Sequence, residues 1–292
     1  MSIPAISVVM PVFNGARFLD EAIDSVLSQS WRDLELILVD DGSTDSSRSI
    51  AERRAADDRR VRTIAHAANA NRGVAASRNA GVAVARARLI AFIDADDRWT
   101  PTKLAEQHAI MTRHPEIGLL AGATHYWRSW DGGGDRVKQI GAVQDRVVRP
   151  PQALLTTYPL ARAEAPAPSS FLMTATALAR VGGFEESFVG RFSFYEDQAF
   201  LTKAYLRESI YFSSACWLDY RQHAGSALAS GLQQGDYLAA RSHFMDWFAA
   251  YLAEEGSMTG SIRHRMRVAR AGLYMARLRQ ALGGAVMRNV RQ

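Results

Sequence analysis

The chain predicts an α/β fold, a mainly parallel sheet flanked by helices with a helical extension behind it, and three features carry that expectation. Apolar runs of strand length alternate with stretches of helical spacing up to about residue 118. The strands Leu34 to Val39 and Leu89 to Asp94 both run into carboxylates, Asp40 and Asp41 in one case, Asp94, Asp96 and Asp97 in the other. From Asp236 onward the pattern is helical, and its last part is dense in arginine.

Element by element, the β-branched run Ile6 to Val12 is the first strand. Phe18, Leu19, Ala22, Ile23, Val26 and Leu27 then recur at helical spacing and give the next helix one apolar face. After Leu34 to Val39, Ser43 or Thr44 is placed to cap a helix carrying Ile50 and Ala51. A short strand, Val61 to Ala65, precedes an alanine-rich helix, Val74 to Ala87, and the strand Leu89 to Asp94. Thr100 and Pro101 read as N-cap and first-turn residues of a helix that ends near His114 and Pro115. Beyond Ile117 the rhythm is irregular, with short strands expected at Leu119 to Arg128, Arg136 to Ile140 and Ser170 to Thr174. Two helices follow Asp236.

The totals admit a full-sized core and exclude several classes. The chain has 292 residues, 48% of them hydrophobic, and its net charge of +5 comes almost wholly from arginine, since Lys103, Lys138 and Lys203 are the only lysines. Such a balance suits phosphate, yet it also follows from a GC-rich coding bias, so no nucleic-acid partner is expected from it. Cys216 stands alone, which excludes an internal disulfide or a multi-cysteine zinc site. The start MSIPAISVVMPVF lacks the layout of a signal peptide, and no apolar run approaches the roughly 20 residues of a membrane span. A cytoplasmic protein is expected, with peripheral contact at the inner face of the cell membrane as an option.

Acidic side chains gathered at the end of a buried strand repel one another unless a cation or polar ligand balances them. Open α/β sheets bind ligands beyond the carboxyl ends of their strands, so two acidic strand ends imply one shared crevice.

At this point several motifs fall into a known order. PVFN (Pro11 to Asn14), VDDGSTD (Val39 to Asp45), NRGVAASRNAG (Asn71 to Gly81), FIDADD (Phe92 to Asp97), GGFEESF (Gly182 to Phe188), the pair Glu196 and Asp197, and YRQHAGS (Tyr220 to Ser226) resemble family 2 glycosyltransferases. The resemblance covers about residues 5 to 228 and leaves the tail uncovered. It implies the GT-A fold, a Rossmann-like sheet. Residues 1–228 would then be the catalytic domain, with a nucleotide-binding half (about 1–118) and an acceptor half (about 119–228), and 229–292 the helical extension.

The implied reaction moves a sugar from a nucleoside-diphosphate donor to a hydroxyl of a surface polysaccharide or lipid-linked glycan, inverting the sugar carbon in one displacement. The D-x-D element puts Asp96 on a divalent metal, Mn²⁺ or Mg²⁺, and Asp94 on the ribose or the metal, with His223 of the R-x-H element as a further metal or diphosphate contact. Pro11 and Phe13 offer the base an apolar wall, and Asp41 accepts from a ring N–H such as uracil has, which favours a UDP-sugar. Phe13 stands where tyrosine is common. Asn71 and Arg78 match positions near the nucleotide, Arg78 as a guanidinium seeking an anion. The acceptor's proton falls to Asp197, with Glu196 beside it, although Gln198 replaces an aromatic common after the pair.

Two other functions stay open on the sequence: a sugar nucleotidyltransferase, which would want a glycine-rich basic loop after the first strand that PVFNGARF does not supply, and a nucleotide-sugar-binding protein without turnover. G-x-G-x-x-G and G-x-x-x-x-G-K-[ST] are absent, against dinucleotide and P-loop enzymes. In the tail, Ile262, Met266, Ala269, Leu273 and Ala276 form one helical stripe that breaks at Gln280. That stripe either rests on an anionic membrane or packs on the catalytic domain. Oligomeric state is not encoded in any pattern found.

Overall fold

A computed structural model of the chain describes residues 3–289, apart from the side chains of 227, 228, 230 and 281–289. Its elements run β1 (Ile6–Val12), α1 (Ala16–Leu27), β2 (Leu34–Asp40), α2 (Ser47–Asp57), β3 (Val61–Ala65), α3 (Val74–Val84), β4 (Leu89–Phe92), β5 (Arg98–Trp99), α4 (Lys103–Arg113) and β6 (Ile117–Trp127). There follow β7 (Arg136–Lys138), β8 (Arg146–Val148), α5 (Gln152–Thr156), β9 (Leu172–Thr174), α6 (Ala175–Val181), α7 (Glu196–Arg207), β10 (Ser209–Arg221), α8 (Ala227–Gln233), α9 (Tyr237–Glu254) and α10 (Gly260–Asn289).

Among the described residues one ten-stranded sheet has the order β3-β2-β1-β4-β9-β6-β10-β5, with β7 on β6 and β8 on β10. The four strands β3, β2, β1 and β4 are parallel, as the alternation with helices requires. Beyond β4 the sheet is mixed: β9 joins antiparallel to both β4 and β6, and β10 lies parallel to β6. The α/β class therefore holds, and the parallel part is its N-terminal half.

Period-two alternation sorts the strands between two apolar layers. Val8 and Met10 of β1 and Leu36 and Leu38 of β2 face α1 and α4, while Val9, Ile37 and Val39 face the layer that holds α3, α6 and α7. Because both faces are covered, the strands read as continuous apolar runs.

Several local expectations shift. α2 begins at Ser47, because Ser43 and Thr44 reach across to the loop after β1 instead of capping: Asn14 N–H donates to Ser43 Oγ (3.1 Å), and Thr44 N–H donates to Asn14 Oδ1 (2.8 Å). α4 begins at Lys103, since Thr100 N–H donates to the Trp217 carbonyl (2.9 Å) and Pro101 turns outside the helix. β4 ends at Phe92, after which the Asp94 N–H leaves the sheet for Ser169 Oγ (3.0 Å). β9 starts only at Leu172, because Pro168–Ser170 is a short 3-10 turn.

The tail stripe also resolves. Ile262, Met266, Ala269 and Leu273 are buried in the same layer as Phe244, Phe248 and Leu252 of α9. Burying Ile262, Met266 and Leu273 stabilises this contact by about 2 kcal/mol each. This stripe packs on the protein and is not free to meet a membrane, which corrects that reading for these residues.

Candidate functional site

The order β2-β1-β4 lines up three strand ends along one edge of the sheet: Asp40 and Asp41, then Pro11, Val12 and Phe13, then Asp94 to Asp97. Loops lace this edge together. Gly42 adopts a positive φ of 78°, and a Cβ there would lie 2.7 Å from the Asn69 carbonyl, so only glycine lets the loop before α3 approach so closely. Over that glycine, the Asp41 carboxylate accepts from the backbone N–H groups of Arg72 (2.7 Å) and Gly73 (2.9 Å). His66 Nε2 stands 3.5 Å from Asp41 Oδ1. Asp41 is thus a loop clamp, with lone pairs left for one further donor. Pro11 is buried, Phe13 is half-exposed just beyond β1, and Asn71 is exposed beside Gly42.

At the end of β4 the three carboxylates part company. Asp94 Oδ1 is bonded by Arg78 Nη2 at 2.6 Å. Asp97 is fully buried, where it accepts from Ser169 Oγ (2.5 Å) and the Arg221 N–H (3.0 Å). Burial raises its carboxyl well above the ordinary value, aided by Asp96 and Asp94 nearby. Asp96 points outward, and its Oδ2 is 2.8 Å from His223 Nε2. Arg221, two residues before that histidine, donates from Nε to the Asp96 carbonyl (2.7 Å) and from Nη2 to Glu21 Oε2 (2.5 Å). Its guanidinium lies over Phe18 and Trp127, 4.5 and 4.3 Å from the ring centres. Part of the acidic charge at the end of β4 is therefore balanced by Arg78, whereas the Arg221 guanidinium is paired with Glu21.

Arg78 corrects the expectation of a guanidinium awaiting an anionic ligand. It is fully buried on α3, and while one Nη holds Asp94 the other pairs closely with Glu196. These carboxylates keep it protonated against the cost of burial. One side chain thereby joins the end of β4 to the start of α7. Glu196 is buried and lifted to about 7 by desolvation, which outweighs Arg78. Asp197, more open, is pushed up to about 6 by the same cause, and bonds only to its own helix, at the Gln198 N–H (2.6 Å) and amide (3.4 Å).

A cavity of about 390 Å³ opens beside His223, lined in part by Arg128, Asp131, Tyr220, Gln222 and Ser226. It falls in the size range of small-ligand sites. Sequence reasoning missed Ser169, Glu21, Phe18 and Trp127 as parts of this region. Phe18 was visible only as one of an apolar helical stripe, and Ser169 carries no local signal.

As a metal site, Asp96 and His223 supply one carboxylate oxygen and one imidazole nitrogen that already converge, with Asp94 Oδ2 outside the Arg78 contact. Among the described residues no three His, Cys, Asp or Glu side chains gather as a closed cage. Two protein ligands fit Mg²⁺ or Mn²⁺ when diphosphate and water complete the shell. The donor set is compatible with the ion.

The α/β crevice thus combines acidic strand ends with a second carboxylate pair, Glu196 and Asp197, joined to them through Arg78. Residues 7–160 match the model of glycosyl transferase family 2, and the chain belongs to that family. An uncharacterized glycosyltransferase of Nostoc sp. is 36% identical over 137 residues, 46% of this chain and 40% of its own length. A putative teichuronic acid biosynthesis glycosyltransferase of Bacillus subtilis, TuaG, is 36% identical over 108 residues, 37% of this chain and 42% of its own. The matches thus span less than half of those relatives. Among solved structures, S. aureus TarS 1–349 in complex with UDP aligns with a TM-score of 0.58 at 20% identity, over 81% of this chain and 63% of that one. The mannosyltransferase PcManGT of Pyrobaculum calidifontis, in complex with GDP-Man and Mn²⁺, aligns at 0.60 and 16% identity, over 94% and 71%. These two share the GT-A fold with the present chain.

Proposed function

We propose that the protein is an inverting, metal-dependent glycosyltransferase that moves a sugar from a nucleoside diphosphate, UDP by preference, to a hydroxyl of a surface polysaccharide or lipid-linked glycan. The observation that carries this reading is the Arg78 bridge, which sets Asp94 and Glu196 on opposite sides of one guanidinium and so brings donor-side and acceptor-side carboxylates into one crevice. The UDP bound to TarS, the GDP-Man and Mn²⁺ bound to PcManGT, and the teichuronic acid assignment of TuaG agree with it.

In this reading the Phe13 ring stacks on the base, Asp41 accepts from it, and Asn71 lies along the nucleotide. Asp96 and His223 hold the divalent ion, with Asp94 on the ribose or the ion. A divalent ion held there would supply Lewis-acid neutralisation of the charge on the departing diphosphate. Asp197 takes the proton of the acceptor hydroxyl as it attacks, because Glu196 is committed to Arg78 while Asp197 is not. One displacement by the acceptor needs no enzyme nucleophile, and it inverts the sugar carbon.

Residues 1–228 act as the catalytic domain and 229–292 as its extension. Among the described residues no helix is long and apolar enough to cross a membrane. In this reading the enzyme works on the cytoplasmic side, with peripheral membrane contact through its basic last helix. The test is release of nucleoside diphosphate from a panel of UDP- and GDP-sugars with Mn²⁺, with and without glycan acceptors. Turnover that Asp96→Ala abolishes supports the reading. If wild type binds donors yet turns over none of them, the chain is a binding protein instead. Turnover of a sugar phosphate with a nucleoside triphosphate would replace it with a nucleotidyltransferase.

A further inference from the structure

α10 carries two apolar stripes, and only one is used. Ile262, Met266, Ala269 and Leu273 are buried. At about 100° per residue, Val268, Met275 and Leu278 fall on the nearly opposite side of the helix. These three are exposed at 54, 50 and 38%, and Tyr274 beside them at 63%. Single exposed apolar side chains need no explanation, but a row of them at helical spacing on one face does.

The charge around that row is of one sign. Gly260 to Asn289 contains no Asp or Glu, whereas Arg265 and Arg267 are exposed next to Val268, and Arg279 next to Leu278. Among the described residues the one α10 arginine in an ion pair is Arg270, with Asp246 at 3.0 Å, and it lies toward the packed side. An exposed apolar row edged by unpaired arginines matches an interface of acyl chains under anionic headgroups. A second copy of this chain fits poorly, since pairing the same face would set arginine rows against each other.

The geometry points to this second face of α10, Val268, Met275 and Leu278 with Arg265 and Arg267, as a docking surface for an anionic lipid membrane. It deepens the proposed function by naming which face makes the contact. Docking itself does not depend on the reaction; its link to a lipid-borne acceptor rests on that reading. The connection is short: α10 packs on α9, α9 packs on the turn Gly190–Tyr195, and Tyr195 runs directly into Glu196 and Asp197. A membrane held by α10 is thus two packed layers from the acceptor pair.

The test is co-sedimentation of the full chain with vesicles of phosphatidylcholine alone and of equal parts phosphatidylcholine and phosphatidylglycerol. Wild type is expected to bind the anionic vesicles and not the neutral ones, more weakly as salt rises. Each arginine near such a surface contributes roughly fivefold, so the double variant Arg265→Gln/Arg267→Gln should weaken partition by about tenfold or more. The triple variant Val268→Ser/Met275→Ser/Leu278→Ser should do so by a similar factor. Thermal midpoint and nucleoside-diphosphate release without vesicles should stay at wild-type values, because none of these side chains packs in the core. Absence of vesicle binding, binding that both variants retain, or self-association in sedimentation velocity that the triple variant abolishes would overturn the proposal. Lost docking with intact donor turnover leaves the proposed function standing, and docking without turnover leaves the surface standing.

Discussion

The proposed donor and acceptor sides of the crevice are held by different kinds of contact. On the donor side, Asp41 is fixed by the backbone N–H groups of Arg72 and Gly73, and Asp97 by the Arg221 N–H at the end of β10 together with Ser169 Oγ. On the acceptor side, Glu196 is fixed by one side chain, Arg78, which lies 118 residues earlier in the chain. Backbone donors tie a group to the fold itself, while a lone buried guanidinium concentrates the placement of two sites in one residue. Asp41 and Asp97, each held by two donors, should therefore tolerate loss of one contact, whereas Glu196 and Asp94, which share Arg78, should not.

The sharpest contrast is expected at the acceptor pair. Asp197→Asn should lower kcat by about 10²- to 10⁴-fold with donor affinity unchanged, read by nucleoside-diphosphate release and by calorimetry. Glu196→Gln should cost less in rate, because its partner is Arg78 and not the acceptor. Equal losses from the two variants would erase the distinction drawn between them.

Next comes Arg78→Met. Removing one member of a buried ion pair leaves the others uncompensated, a cost of about 3–5 kcal/mol in urea unfolding. Ser169→Ala, on the donor side, should cost about 1–3 kcal/mol, since Asp97 retains the Arg221 N–H. If Ser169→Ala is the more damaging, the comparison is reversed.

The smallest effect is a pH limb. Asp197 must be ionised to take a proton, and burial pushes it up to about 6 while Glu196 beside it rises to about 7. Activity should consequently fall as pH drops through the range from about 7 to 6, measured as kcat/KM at saturating Mn²⁺. A profile flat down to about pH 4.5 would mean that neither group is desolvated as described.

The same contrast explains what was legible in the sequence. The carboxylates at the ends of β2 and β4 could be read because an apolar run and its acidic terminus are neighbours in the chain. The engagement of Arg78 could not be read, because nothing local to Val74–Val84 refers to Glu196. β10 escaped notice because its register shifts between Ser213 and Leu218 break the alternation that marks a strand. Composition marks Ser43, Thr44 and Thr100 as caps, whereas their partners are Asn14 and Trp217, far away in sequence. In α10 the stripe from Ile262 was visible, but arginines interrupt the opposite row, and only exposure reveals it.

The most direct measurement is a crystal structure with UDP and Mn²⁺, the ion located by its anomalous signal. Manganese is expected on Asp96 and His223, the base against Phe13, and Arg78 still between Asp94 and Glu196. Manganese bound away from both Asp96 and His223, or UDP outside the crevice between β2 and β4, would contradict that arrangement.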